Sequence, residues 1–440
     1  MADTTAPPLS HRRILQIAVP VILANITVPL IGLVDTGVVG RMGDPVPIAA
    51  VGIGAVILTG VYWIFGFLRM GTTGFAAQAI GAGDGAETSA ILLRGLLIAG
   101  AGGLALVALQ APIFALGFEV SPASDAVEAL ARDYMAIRIW SAPALIATYA
   151  LTGWLIAAER TRAVLALQLV MNGVNVALDL VFVPGFGWGV QGVAAATLIA
   201  EVTGCAMGLW LCRDGLRDPA GRAVSRLLDA AKLRRFASVN SDILIRSLLL
   251  QAIFMSFLFF GARYGDVRLA ANHILLQFLT FTAFAMDGFA FAVEALVGRA
   301  KGAGDRAGFR RAALLTSFWG GGAGFALALA FALAGGPIID LLTTAPDVRS
   351  AARDYLIYMA LTPLVSFVPF MLDGIFIGAT RTRDMRNMMA LSAAIYFAAA
   401  LALMPLLGND GLWIAVILSF VARGATLGWR YPALERSIAQ

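Results

Sequence analysis

What most constrains this chain is a series of twelve apolar stretches, each close to the length that crosses a bilayer. They fall at about residues 14–40, 46–70, 91–118, 128–158, 163–184, 190–212, 236–261, 269–297, 309–334, 351–378, 386–407 and 411–430. A helix needs about 20 apolar residues to cross a hydrocarbon core of ~30 Å. The breaks between stretches are short and marked by charge, glycine or proline. Of the 440 residues, 60% are hydrophobic and 13% charged. A soluble protein of this size carries about 25% charged residues. The expected fold class is therefore an all-α integral membrane protein with twelve transmembrane helices. The net charge of +5 is scattered over short loops, which gives no face for nucleic acid. The first run, Ile14 to Val39, is too long for a signal-peptide core, so it reads as a helix that stays.

Basic residues set the direction. Arg12, Arg13, Arg94, Arg160, Arg162, the segments Arg213–Arg235, Arg299–Arg311 and Arg381–Arg386, Arg430 and Arg436 share the side of the N-terminus. Arg41, Arg132, Arg138, Arg263, Arg268, Arg349 and Arg353 fall on the other side. The richer side is cytoplasmic by the positive-inside rule, which puts both termini there.

The chain also repeats itself at an offset of about 221 residues. "ARDYMAIRIW" at 131 returns as "ARDYLIYMAL" at 352, and "AAERTR" at 157 as "GATRTR" at 378. "GAGD" at 81 returns at 302, Gly153 falls on Gly374, and Pro184 on Pro405. "RMGDPVPIAA" at 41 pairs with "RYGDVRLAAN" at 263 after a one-residue gap. Loop-marking residues explain the residue types but not a constant offset. The expected organisation is two pseudo-symmetric six-helix halves, 14–212 and 236–430, joined by a basic linker, 213–235. The linker reads as partly amphipathic helix on the inner leaflet. Six is even, so both halves enter from one side, the parallel kind of repeat found in alternating-access transporters.

Polar residues inside the apolar runs form stripes. In the fifth run Gln168, Asn172, Asn175 and Asp179 are spaced four, three and four, which is one helix face. In the eighth, His273, Gln277, Thr280, Asp287 and Glu294 keep that stepping, with Phe284 and Phe291 between them. In the tenth, Thr362, Ser366 and Asp373 share a face that Thr380 continues. Glu201 in the sixth run has no stripe, and its role stays open. A carboxylate at the centre of a lone helix costs about 2.5–3.5 kcal/mol. One buried Asn or Thr is most simply a hydrogen bond between helices. Asp35, Asp179, Asp287 and Asp373, on four different runs, point to function instead.

Asp35 lies in "ITVPLIGLVDTGVVGRMG", with no other charge back to Arg13 and none ahead until Arg41. Should Asp35 and Asp179 share a pocket, they can hold one proton between them and act as a switch, with Asn175 and Thr197 as donors to the ionised form. The same oxygens of Asp35, Asn175 and Asp179 could instead hold a sodium ion. The sequence leaves proton and sodium both open. Pro20 and Pro29 share the helix and allow it to bend as Asp35 changes partners. Cys205 and Cys212 read as buried free thiols. No HExxH, nucleophile elbow or Walker loop is present, "GAGDG" lacks a following GK[ST], and no cofactor is expected.

"GLVDTGVVGRMGD", "NGVNVALDLVF", "LDGIFIGATRTRDMRN" and "AMDGFAFAVEALVGRAKGAGD" resemble the multidrug and toxic compound extrusion (MATE) family, most closely its DinF branch. The resemblance covers nearly the whole chain. It implies a multi-pass protein of the bacterial inner membrane, expected to be a monomer. It would be a secondary antiporter that exports organic cations and amphipathic drugs in exchange for protons or sodium.

The family's first-helix acid matches Asp35, its fifth-helix Asn and Asp match Asn175 and Asp179, and a sixth-helix Thr matches Thr197. Asn172 joins this ion-coupling set. So does Tyr134, although Tyr355 repeats it in the other half. The family's sodium-coupled branch carries a seventh-helix Glu. This chain has only Asp242 and Arg246 there, a departure that favours protons. Gln277, Phe284, Met286, Asp287, Phe291, Glu294 and Asp373 are the expected substrate contacts, because aromatic faces attract cations and Met repacks around varied shapes. The rival reading is a lipid-linked precursor flippase of related architecture. It would want a basic cavity, and acids outnumber Arg69, Arg246 and Arg423 within the runs.

Overall fold

The fold was analysed in a computed structural model, which describes residues 9–40, 44–121 and 123–438. Arg41 and the start of its "RMGD" match lie outside the described residues. The described residues are almost wholly helical, with no strand among them. Among them twelve helices are long and apolar enough to cross a membrane. These spans are His11–Pro29, Pro45–Gly81, Gly85–Ala108, Asp125–Ala157, Thr161–Gly185, Gly189–Leu211, Val224–Tyr264, Asp266–Gly302, Arg306–Leu342, Leu356–Gly378, Thr382–Leu407 and Asn409–Arg436. The first belongs to a longer continuous helix, His11–Gly40, that runs through both Pro20 and Pro29.

Some boundaries differ from expectation, among them the tenth run, which breaks at Tyr355 between Pro346–Asp354 and Leu356–Gly378. The third run breaks at Leu109, leaving Gly85–Ala108 and a separate helix Gln110–Val120. The linker is helical only in part. Pro219 and Gly221 interrupt it, so it holds two short helices, Arg213–Arg217 and Val224–Leu227, before the helix Ala230–Gly261 begins. Gly215 seats against the Trp154 ring, and Gly221 against Ser89. Glu87 then takes Arg94 at 2.7 Å, Lys232 at 2.5 Å and Arg226 at 3.4 Å, while Arg94 Nη2 donates to the Arg226 carbonyl at 2.5 Å. Local breakers and one buried arginine thus fix the linker to the third span.

The chain divides into two compact units. One is Leu23–Arg234; the other is Arg235–Gln440 with the residues up to Ile22, so the boundary falls inside the first helix. In the first unit the fourth span packs on the second, third and sixth, and the fifth pairs with the sixth. In the other unit the tenth packs on the eighth, ninth and twelfth, and the eleventh pairs with the twelfth. The packing order therefore repeats along with the sequence.

The backbone repeats as well. Gly83 and Gly304 have φ of 73° and 67°, Gly187 and Gly408 of 71° and 60°, and Glu159 and Thr380 of 57° and 51°. Each pair is 221 residues apart. The last pair ends a helix in the left-handed region that glycine usually supplies. Asp84 and Asp305, at the same offset, each cap the helix that follows, accepting from Glu87 N and Gly308 N. At the centre of each unit a glycine allows two helices to touch. A Cβ on Gly153 would run into the Arg69 carbonyl oxygen, and one on Gly374 would lie 2.7 Å from that of Ala290. Membrane helices associate through close approach of this kind, because lipid offers no hydrophobic drive between them.

Candidate functional site

Within the unit Leu23–Arg234, polar side chains from five helices converge. The fifth span supplies Asn172, Asn175 and Asp179, all buried on the face that their spacing predicts, with Gln168 half-buried above them. Gln168 Nε2 donates to Asn172 Oδ1 at 3.0 Å. Asn172 Nδ2 donates to Thr27 Oγ1 at 2.8 Å and to the Thr27 carbonyl at 3.3 Å, which ties the first helix to the fifth. Asn175 Nδ2 donates to Asp179 Oδ2 at 3.1 Å and to Thr197 Oγ1 at 3.3 Å. Asp35, from the first helix, stands carboxyl to carboxyl with Asp179.

The fourth span contributes an arginine. The sequence pattern counts Arg138 with the charges of the outer side, but it is buried, one turn after Tyr134. Its Nη1 donates to Tyr134 Oη at 2.9 Å, and its Nη2 pairs with Glu201 Oε1 at 2.6 Å. Its carbonyl accepts from Tyr62 Oη at 3.1 Å and from Ser141 Oγ at 2.7 Å. Glu201, left open by the sequence, thereby gains a partner. Spacing carried the signal for both: Arg138 is four residues after Tyr134, and Glu201 four after Thr197.

The charge arrangement follows. Arg138 and Glu201 neutralise each other at close range. Asp35 and Asp179 are left facing each other, and no N–H or hydroxyl among the described residues reaches Asp35 Oδ1 or Asp179 Oδ1. Two carboxyl groups in such a place cannot both stay ionised cheaply, and one shared proton satisfies the pair. The Asp35, Asn175, Asp179 and Thr197 oxygens are also the donor type that a sodium ion takes.

The other unit holds the second expected set, arranged differently. Along the eighth span Gln277 is exposed, Phe284, Asp287 and Phe291 are half-buried, and Glu294 is buried. Met286 is fully buried and offers no surface to a ligand in this state. Asp373 forms ion pairs with Arg246 and with Arg423, the latter at 3.4 Å. The Arg423 guanidinium also lies over the Phe370 and Phe420 rings, 5.8 and 5.7 Å from their centroids. Two guanidinium groups against one carboxylate leave this buried cluster net positive. The expected excess of acid therefore fails at Asp373, because the seventh and twelfth spans bring their arginines onto it. Asp242 is taken by Arg386 at 2.6 Å and by Thr382 at 3.1 Å.

Comparison with known proteins agrees with this architecture. A family model for MatE matches residues 20–181 and 243–402, once in each half of the chain. DNA damage-inducible protein F of Escherichia coli K12 is 40% identical over 433 residues, covering 96% of this chain and 92% of that protein. A probable multidrug resistance protein NorM of Synechococcus is 26% identical, covering 97% and 94%. A crystal structure of a mutant Vibrio cholerae MATE transporter, VcmN, superposes with a TM-score of 0.87 at 20% identity, covering 97% of each chain, which shows the shared fold. The chain therefore belongs to the MatE family, on its DinF branch, and is a multi-pass membrane transporter for multidrug and toxic-compound efflux rather than an enzyme.

Proposed function

We propose that this transporter is a secondary antiporter, exporting organic cations and amphipathic drugs in exchange for inward protons by alternating access. The observation that carries this reading is the pairing of Asp35 with Asp179, while the arginine in reach, Arg138, is held by Glu201. Asp35 and Asp179 exchange the proton. Asn175, Thr197, Asn172 and Tyr134 set the geometry around them. One charge moving through 100 mV supplies ~2.3 kcal/mol, enough for a gradient of about 50-fold. Cargo meets Asp287, Glu294, Phe284, Phe291 and Gln277 along the eighth span. The halves 14–212 and 236–430, joined by 213–235, arise from duplication; the repeated backbone geometry supports this. The protein sits in the bacterial inner membrane with both termini in the cytoplasm.

The test is efflux of a fluorescent cation from proteoliposomes under a pH gradient or a sodium gradient, each imposed alone. Proton antiport requires that the pH gradient drive wild-type efflux and that Asp35→Asn lose it. Full pH-driven efflux by Asp35→Asn would overturn the role of Asp35. Efflux driven by sodium alone would make sodium the coupling ion.

A second reading, flipping of a lipid-linked precursor with an anionic headgroup, has one observation in its favour: the net positive cluster of Arg246, Arg423 and Asp373. It requires that a phosphate-linked sugar lipid, and no cation, be moved in the same vesicles.

A further inference from the structure

A groove of about 570 Å³ opens where the ninth and twelfth spans end on the arginine-rich side. That volume is within the range of small-ligand sites. Arg306 and Arg310 line it from the ninth span, and Tyr431, Glu435 and Arg436 from the twelfth. Glu435 Oε1 answers Arg306 Nε at 3.4 Å. Arg436 uses its Nε on the Pro432 carbonyl at 3.2 Å, which holds the side chain in place. Arg310 is exposed and stands beside the Tyr431 hydroxyl. Three guanidinium groups against one carboxylate leave the groove with two positive charges to spare, on side chains whose fork matches a phosphate.

The groove continues onto an exposed apolar face. Leu314 lines it and is 60% exposed. Phe318, Phe325, Leu329 and Leu333 continue the same exposed face down the ninth span. On the twelfth span Trp429 is exposed, with the Arg430 guanidinium 5.2 Å from its ring centroid. Tryptophan collects at headgroup depth, so the arginines sit where phosphates of the leaflet lie.

We propose that this groove binds an anionic phospholipid, its phosphate on Arg310 and Arg436 and an acyl chain along Leu314 and Phe318. A free phosphate would meet the same arginines but would gain nothing from the apolar wall. The site is separate from the buried carboxyl cluster and does not depend on which ion drives transport.

The experiment reads thermal unfolding and lipid retention of purified protein in neutral detergent. The added probes are phosphatidylglycerol, phosphatidylcholine or glycerol phosphate. Phosphatidylglycerol is expected to raise the wild-type unfolding midpoint by several degrees, with the other two ineffective. Arg310→Gln with Arg436→Gln should need about tenfold more phosphatidylglycerol, whereas Arg268→Gln, at the other membrane face, should behave as wild type. Both groove arginines are exposed, so folding tolerates the change. Leu314→Glu, which sets a carboxylate in the groove, should weaken retention independently. An undiminished phosphatidylglycerol effect in these variants would overturn the proposal. So would an equal effect of phosphatidylcholine, or of glycerol phosphate without its acyl chains.

Discussion

Arg138 and Glu201 form a buried ion pair at 2.6 Å, on two spans that also carry Tyr134 and Thr197. The pair keeps a permanent cation beside the facing carboxyls of Asp35 and Asp179 without giving it to them. Glu201→Gln releases Arg138 toward Asp35. Proton-driven efflux should then fall at least tenfold while the protein still inserts and folds. Breaking a buried pair costs about 3–5 kcal/mol, so Glu201→Gln should also lower the unfolding midpoint. Arg138→Met combined with Glu201→Gln should recover much of that loss. Thermal unfolding in detergent, alongside vesicle efflux, checks both outcomes.

The cluster around Asp373 predicts an asymmetry. Asp373→Asn leaves Arg246 and Arg423 buried together without a counter-charge, a loss of about 3–5 kcal/mol. Arg246→Met leaves Asp373 with Arg423 and one charge on each side, so its cost should be clearly smaller. Unfolding midpoints of the two variants, compared in one detergent, decide the order.

Gly153 and Gly374 each face a carbonyl oxygen at a distance no Cβ tolerates. Ala at either position should cost about 1–3 kcal/mol by forcing two helices apart. A methyl group at Gly173 would meet nothing within 4 Å, and Gly173→Ala should be neutral or slightly stabilising. Expression yield and thermal stability of the three variants give the comparison.

Cys212 follows the sixth span and is buried, its Sγ 3.9 Å from the Leu151 carbonyl oxygen. Burial pushes its thiol up to about 12. Only the thiolate is a fast nucleophile, and at pH 8 almost none is present. Maleimide should leave Cys212 unlabelled in the folded protein from pH 7 to pH 8 and should modify it after denaturation. Mass spectrometry of tryptic peptides reads the result.

The twelve spans, the stripe Asn172–Asn175–Asp179 and the repeat are legible in the sequence because each rests on local chemistry. Hydropathy sets whether a segment can enter lipid, a spacing of three and four residues sets its face, and glycine, proline or aspartate marks its ends. These properties lie within one helix or one turn. The ion pairs of Arg138 with Glu201 and of Asp373 with Arg246 and Arg423 are not legible, because no rule of spacing links residues tens of positions apart on different helices. Arg138 reads as one of the outer-side charges, near the start of its run. It is buried because Glu201 and Tyr134 meet it there. Asp373 reads as an acid awaiting a cation, and the packed helices supply it with two. The sequence by itself decided which helices cross the membrane and which of their faces are polar. The tertiary structure alone decided which charges cancel, because Coulomb attraction in a dry interior depends on distance across the packing, and that distance is set only when the helices close on one another.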